Sequence, residues 1–296
     1  MTRVDDNYQD IAVPTSLRVP ASLAEALDAL AVDGVVALGG GVRHALDQHD
    51  RKPHRASRFV AVAELDELAS IVWTDRAVLI GAGVRLSRVA SDARLAAVWP
   101  VVTESAGLVA TGRIRRMVTL GGNVAAHDES HDPPVGLAAA GATMTVRSAT
   151  GSRTLDVLAV GELRPDEIIQ DFRIPLPADR TGSAFEKFLV RGTWEYACVS
   201  AGAVVELGED GTVSRSRLAV GSVTGGPVLV DLDDLKGHAD EDVVAEAARR
   251  AASTTVPRSD VRGSAQYKTH MIAEFSRRAL RRAIERAKNA SIGEEK

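Results

Sequence analysis

Cysteine is nearly missing from this chain: Cys198 is the only one among 296 residues. A lone cysteine closes no internal disulfide and cannot by itself ligate an iron–sulfur cluster. Aromatic residues make up 4% of the sequence, too few for a platform that stacks nucleic-acid bases. No apolar run is long enough to span a bilayer. The net charge of −4 argues against nonspecific nucleic-acid binding by the whole chain. The start, Met1 to Asp10, is polar and acidic and shows no secretory signal, so a cytoplasmic location is expected. No Ser-His-Asp or paired-carboxylate arrangement is legible, so no catalytic side chain is expected. What remains, 45% hydrophobic and 26% charged, is ordinary for a globular protein long enough for two domains or a subdivided one.

Glycine is where the sequence speaks. Leu38-Gly39-Gly40-Gly41-Val42 and Thr119-Leu120-Gly121-Gly122-Asn123 each end an apolar run. Without a Cβ the backbone can approach a ligand closely. Successive exposed N–H groups form a nest suited to phosphate oxygens. Two such turns suggest a diphosphate held between two loops; the alternative at each is a tight turn with no ligand.

Around these turns the periodicity alternates between helix and strand. Ser22 to Glu25 reads as a capping box opening a helix that Gly34 ends. Val35–Leu38 reads as a buried strand, and residues 44–58 as a polar surface connection. Phe59–Val62 and Ala77–Ile80 are expected strands, with a helical turn over 64–70 between them and a helix around 87–95 after them. Residues 105–109 form an expected short helix. Strands are expected at Thr143–Arg147, turning at Gly151, and at Glu167–Ile174. After a linker over 177–183 come three strands (185–190, 198–207, 214–220), then helices over 245–252 and 265–287. The tail from Ser291 should fray.

In Thr111 to Pro134, Ile114-Arg115-Arg116 is followed by Thr119-Leu120-Gly121-Gly122-Asn123, then by Asp132 and Pro134. Lys187, Arg191, Glu195 and Ala197 form a second spaced set. Asp260-Val261-Arg262-Gly263-Ser264-Ala265-Gln266-Tyr267, followed by Arg278-Ala279-Leu280, forms a third. In all three sets the chain resembles the FAD-binding medium subunit of the molybdenum hydroxylases. That family includes the carbon monoxide dehydrogenase flavoprotein and the xanthine dehydrogenase flavin domain.

The resemblance implies an α+β fold: a two-subdomain FAD-binding domain of the PCMH type, then a C-terminal domain with a three-stranded antiparallel sheet and helices. The expected divisions are 1–57, 58–180 and 181–296. It implies an oxidoreductase subunit that takes electrons from a partner's iron–sulfur clusters into FAD and on to an acceptor. An iron–sulfur small subunit and a molybdopterin large subunit are the implied partners. The alternatives are a stand-alone flavin oxidoreductase acting on a small molecule and a scaffold that has lost FAD.

In this picture Val36, Ala37, Leu38, Gly39, Gly40, Gly41, Val42 and Arg43 form the first side of the FAD site. Val118, Thr119, Gly121, Gly122 and Asn123 form the second cradle, with Thr119 donating to phosphate. The alternative reading of Asn123 is a left-handed turn residue. Ala125, Ala126 and His131 line the same groove, and Asp132 accepts from the ribose or adenine side or simply caps its loop. Arg115 neutralises the diphosphate, and Ile169 and Gln170 pack against the flavin ring. Lys187 meets the flavin pyrimidine edge; a solvated strand-end lysine is its alternative. The family usually has Thr or Ser at Gly41, an acid or amide at Val42, Asn at Arg116 and Pro at Glu129. His127 and His131 stand four apart, a metal-sharing spacing on a helix, but they fall in a loop before two prolines and no metal is expected. The basic stretch 277–288 reads as a solvated helix face, and Cys198 as inert core.

Overall fold

Ser22 starts the first helix: its hydroxyl accepts from Glu25 N at 3.2 Å, and Glu25 reaches back to Ala21 N at 2.8 Å. The computed structural model describes residues 16–50, 58–192 and 194–290. The polar start, the end of the expected surface connection, Thr193 and the expected fraying tail lie outside the described residues. The first unit runs β1 (Ser16–Arg18), α1 (Leu23–Leu30), β2 (Val35–Leu38), α2 (Val42–His49) and β3 (Arg58–Ala61). The strands pair in parallel in the order β1-β3-β2. The apolar face of α1, with Leu23, Ala26, Leu27 and Leu30, packs on Val60, Val62, Leu65 and Leu68.

Three expectations change here. Residues 44–49 are helical; Val42, Ala45 and Leu46 fall at helical spacing, but α2 is short, mostly polar and buries no residue. The apolar β2 is not fully buried: Val36 is 44% exposed, because one side of the strand borders a groove. The division expected after residue 57 falls just before β3, the central strand of the first sheet, and that unit's core continues to Leu68.

The second unit holds β4 (Ile71–Trp73), β5 (Ala77–Gly81), α3 (Leu86–Ser91), α4 (Ala93–Val98), α5 (Pro100–Gly107), α6 (Gly112–Met117), α7 (Leu120–Ala125), α8 (Asp132–Ala139), β6 (Thr143–Ser148), β7 (Gly151–Asp156) and β8 (Ile168–Pro175). Its antiparallel sheet has the order β4-β5-β8-β6-β7. The helix expected over 87–95 breaks at Asp92, which caps α4 by accepting from Leu95 N at 2.8 Å. The second glycine turn is itself helical: Gly121 and Gly122 lie inside α7.

The third unit contains β9 (Thr181–Phe188), β10 (Val199–Leu207), β11 (Thr212–Gly221), β12 (Val228–Val230), β13 (Gly237–His238), α9 (Glu241–Thr254) and α10 (Ala265–Ala290). The expected three antiparallel strands are its centre, and the short β12 and β13 extend it along β11. The expected linker already becomes β9 at Thr181. Ile272, Phe275, Ala279, Leu280, Ala283 and Ile284 of α10 cover the sheet. A Cβ on Gly182 would lie 2.1 Å from Ala283 O, so glycine lets helix and strand touch.

The basic face of α10 is only partly solvated. Arg282 and Arg286 reach Glu104 of α5 at 2.7 and 2.6 Å, and the other Glu104 oxygen accepts from Phe185 N at 2.8 Å. One carboxylate therefore ties the second unit to the third. Glu104→Ala should lower stability by about 1–3 kcal/mol, because Phe185 N loses its acceptor and two guanidiniums lose their shared anion. The unfolding midpoint in urea reads this loss, and a midpoint equal to wild type would contradict it.

Candidate functional site

Between the first two units, with one wall from the third, runs a groove of about 1050 Å³. The two glycine loops meet at its floor. A Cβ on Gly39 would lie 2.6 Å from Thr119 Oγ1, and one on Gly40 only 1.8 Å from Met117 O. These positions are glycine because the loops touch. Gly41 differs: it has φ 73° and caps α2, and nothing lies within 4 Å of where its Cβ would be. It provides no side-chain cap, so the amides of Val42 and Arg43 at the start of α2 suit an outside acceptor.

The second loop is built differently from the expected cradle. Leu120 N donates to Val84 O and Gly121 N to Ala82 O, both at 2.8 Å. Gly122 N donates to Thr119 Oγ1 at 3.1 Å. The first two amides hold the loop to the segment after β5, and the third closes on the loop's own N-cap. Thr119, Gly122, Asn123, Ala125 and Ala126 still line the groove, with Val118 beside them. Thr119 accepts from Gly122 and keeps its own hydroxyl proton to donate. Gly121 faces away; its Cβ would meet Ala82 Cβ at 2.5 Å.

Lys187, on β9, is no solvated lysine. Its Nζ donates to Asp132 Oδ2 at 2.6 Å and to Leu108 O at 3.1 Å, and the paired side chains are 4% and 3% exposed. An adenosine-side role for Asp132 and a flavin-edge role for Lys187 therefore cannot sit at opposite ends of the groove. Burial pushes the Asp132 carboxyl up to about 6, against the pull of the Lys187 charge. Among the described residues, Asp132 Oδ1 and Asn123 Oδ1 are buried and have no hydrogen-bond partner. Buried acceptors left in this way point to a missing donor.

His131 caps α8, donates through Nδ1 to Asn123 O at 2.8 Å and stacks on Tyr196 with centroids 6.1 Å apart. Burial lowers its pKa, so the ring is neutral near pH 7 with Nε2 as an acceptor. Arg43 pairs with Asp47 and, across the loops, with Asp128. Burial alone would raise Asp128, but the Ser130 hydroxyl and amide, with His131 and Arg43, hold it at about 2. A depressed carboxyl stabilises the fold fully above its unfolded pKa and loses that contribution as pH falls through the folded value. The stability difference between wild type and Asp128→Asn should thus be constant above about pH 5 and vanish towards pH 2. Acid titration of both proteins by circular dichroism measures it.

Several expected residues lie elsewhere. Arg115 turns from the groove and donates to Val109 O and Ala110 O at 2.8 and 2.9 Å, bracing Ala110 at φ 39°. Ile169 is buried in the second unit's core. Gln170 lies on β8, where its carbonyl accepts from Ala82 N and its side chain from Arg147. Arg116 is exposed outside the groove. Glu129 bonds outward: its Oε2 accepts from Gly225 N and its carbonyl from Ser222 N, linking this loop to the third unit. Val36 to Arg43 all line the groove.

Other lining residues carried no signal in the sequence. Phe59 and Leu46 add apolar surface from the first unit, and Leu163 to Pro165 and Glu167 from the second. Trp194 and Tyr196 border it from the third and are 75% and 40% exposed. Glu195 holds their loop by accepting from Arg191 N at 2.6 Å and Arg191 Nε at 2.9 Å. Exposed aromatics in a chain this poor in them were the one available clue. Among the described residues no three His, Cys, Asp or Glu converge as a metal site, and no helix is long and apolar enough to cross a membrane.

Comparison with known proteins identifies the family. The model for the FAD binding domain in molybdopterin dehydrogenase matches residues 13–177, and that for the CO dehydrogenase flavoprotein C-terminal domain matches residues 183–283. The chain belongs to this family of FAD-binding oxidoreductase subunits. It is 30% identical to the carbon monoxide dehydrogenase medium chain of Afipia carboxidovorans, over 91% of this chain and 96% of that one. It is 29% identical to the 6-hydroxypseudooxynicotine dehydrogenase complex subunit alpha of Paenarthrobacter nicotinovorans, over 79% of this chain and 82% of that one. Its fold superposes on the carbon monoxide dehydrogenase structure from Hydrogenophaga pseudoflava with TM-score 0.85 at 27% identity, covering 92% of this chain and 97% of that one.

Proposed function

We propose that the chain is the FAD-binding electron-transfer subunit of a molybdenum hydroxylase-type dehydrogenase, working with an iron–sulfur and a molybdopterin subunit. The observation that carries the site assignment is the groove of about 1050 Å³ floored by the two touching glycine loops, with Asp132 and Asn123 in its lining, each holding a buried oxygen that has no partner among the described residues. The amides of Val42 and Arg43 at the start of α2, beside Gly39 to Gly41, suit the FAD diphosphate, and Thr119 adds a hydroxyl donor. Lys187 supplies a cation and Asp132 fixes its position. When bound, the flavin supplies the redox chemistry; the chain supplies orientation and charge.

The family departures leave this reading intact. Gly41 keeps open space over the loop, Arg116 lies outside the groove and Glu129 bonds to the third unit. A cytoplasmic location is proposed with it, in keeping with a single cysteine and with no membrane-crossing helix among the described residues. The test is direct. The purified chain, supplied with FAD and desalted, should show flavin absorption, and it should co-purify with the two partner subunits when they are expressed together. A colourless protein after FAD treatment overturns the assignment. A yellow protein that ignores both partners and turns over a small molecule alone would favour a stand-alone flavin oxidoreductase.

A further inference from the structure

Arg43 belongs to the first turn of α2, yet its guanidinium reaches across to the second unit. Nη1 donates to Asp128 Oδ2 at 2.7 Å. Nε lies 3.0 Å from both carboxylate oxygens of Asp47, one turn further along the same helix. Asp128 in turn organises its own loop, because Oδ1 accepts from the Ser130 amide at 3.0 Å and the Ser130 hydroxyl at 2.6 Å. That loop carries His131 and leads into Asp132, both in the lining of the groove. On its far side Arg43 also borders a second cavity of about 410 Å³, with His127, Glu129 and Arg258. The Arg43 side chain is thus a wall shared by the two spaces.

We propose that Arg43 is a positioning residue for the cofactor: a strap joining α2 to loop 127–131, which fixes the groove beside its glycine turn and slows escape of the bound dinucleotide. The inference rests on the groove holding FAD. It competes with a simpler role, in which the guanidinium acts directly on the diphosphate as a positive charge. The two roles give Asp128 opposite signs. If charge alone mattered, deleting a carboxylate near an anionic ligand would tighten binding. If the strap matters, deleting Asp128 frees the loop and weakens binding as much as deleting Arg43 does. The pair is partly exposed and screened by solvent, so an effect on the order of ten-fold is expected rather than a total loss.

The experiment compares full-length wild type, Arg43→Leu, Asp128→Asn and the double variant. FAD dissociation is followed by recovery of flavin fluorescence, and hydrogen exchange of amides 127–131 is measured on FAD-free protein. Each single variant should raise the dissociation rate about ten-fold, with the association rate changed much less. The double variant should be no worse than either single one, because both act through one contact. Arg43→Lys should recover part of the loss, since it keeps the charge but not the fork. Exchange in the loop should quicken in all but wild type. The strap is overturned if Asp128→Asn holds FAD as tightly as wild type or tighter, if the single effects multiply in the double variant, or if loop exchange is unchanged. A wild-type chain that takes up no FAD sinks the assignment of the groove instead, and exchange on the FAD-free chain still decides whether the strap exists.

Discussion

Replacing Lys187 by methionine should cost about 3–5 kcal/mol at neutral pH, the largest loss expected from any single side chain of the groove. The lysine and Asp132 are both almost wholly buried. Removing the cation leaves a carboxylate with no counter-charge, one of whose oxygens already lacks a partner. The cost depends on pH, and its sign follows from Asp132. Its folded pKa of about 6 lies above the unfolded value. Such a carboxyl holds its proton more tightly in the native state, so its stabilising effect is complete below about pH 4 and is lost as pH rises through 6. Without Lys187 the folded pKa rises further, so the variant should approach wild-type stability towards pH 4 and fall furthest behind above pH 7. Asp132→Asn added to Lys187→Met should restore most of the loss by removing the buried charge. Denaturant midpoints of the four proteins at pH 5 and pH 7.5 decide this. A double variant no more stable than Lys187→Met would mean that the pair does not carry the cost.

The second large effect distinguishes adjacent glycines. Gly40→Ala should destabilise by roughly 3 kcal/mol or more and abolish flavin uptake, because its methyl would lie 1.8 Å from Met117 O, a backbone atom that cannot swing aside. Gly41→Ala should cost only about 1–2 kcal/mol, the strain of a left-handed backbone, since its methyl points into open space. Thermal unfolding orders the two, and equal losses would show that the loops do not touch as described.

These glycines also mark how far the sequence could be read. Their presence was visible at once, because glycine motifs are local. Their separate reasons were not. Gly39 and Gly40 are set by a neighbouring loop some eighty positions away, and Gly121 by Ala82. The second loop looked like a twin of the first, but its amides were already committed to Val84 and Ala82, a pairing no local pattern encodes. Strands and long helices were legible through alternation and periodicity, whereas α2 and β4 were missed. The first has no buried face, and the second is only three residues long. The resemblance carried Lys187 and Asp132 as separate contacts; only the fold joins them. Trp194 and Tyr196 arrive from the loop of Arg191, Glu195 and Ala197, where the sequence set marks the loop but not the aromatics that face the groove.

The groove's third wall has a consequence for how the molecule melts. Lys187, Glu195 and Tyr196 stand on the C-terminal unit while the glycine loops stand on the other two. A dinucleotide seated among them would bind only when all three are assembled, so its affinity becomes cooperativity between them. Because the second and third units share core residues, calorimetry should show the first unit melting ahead of the rest in the empty chain and a single, hotter transition when it is charged with flavin.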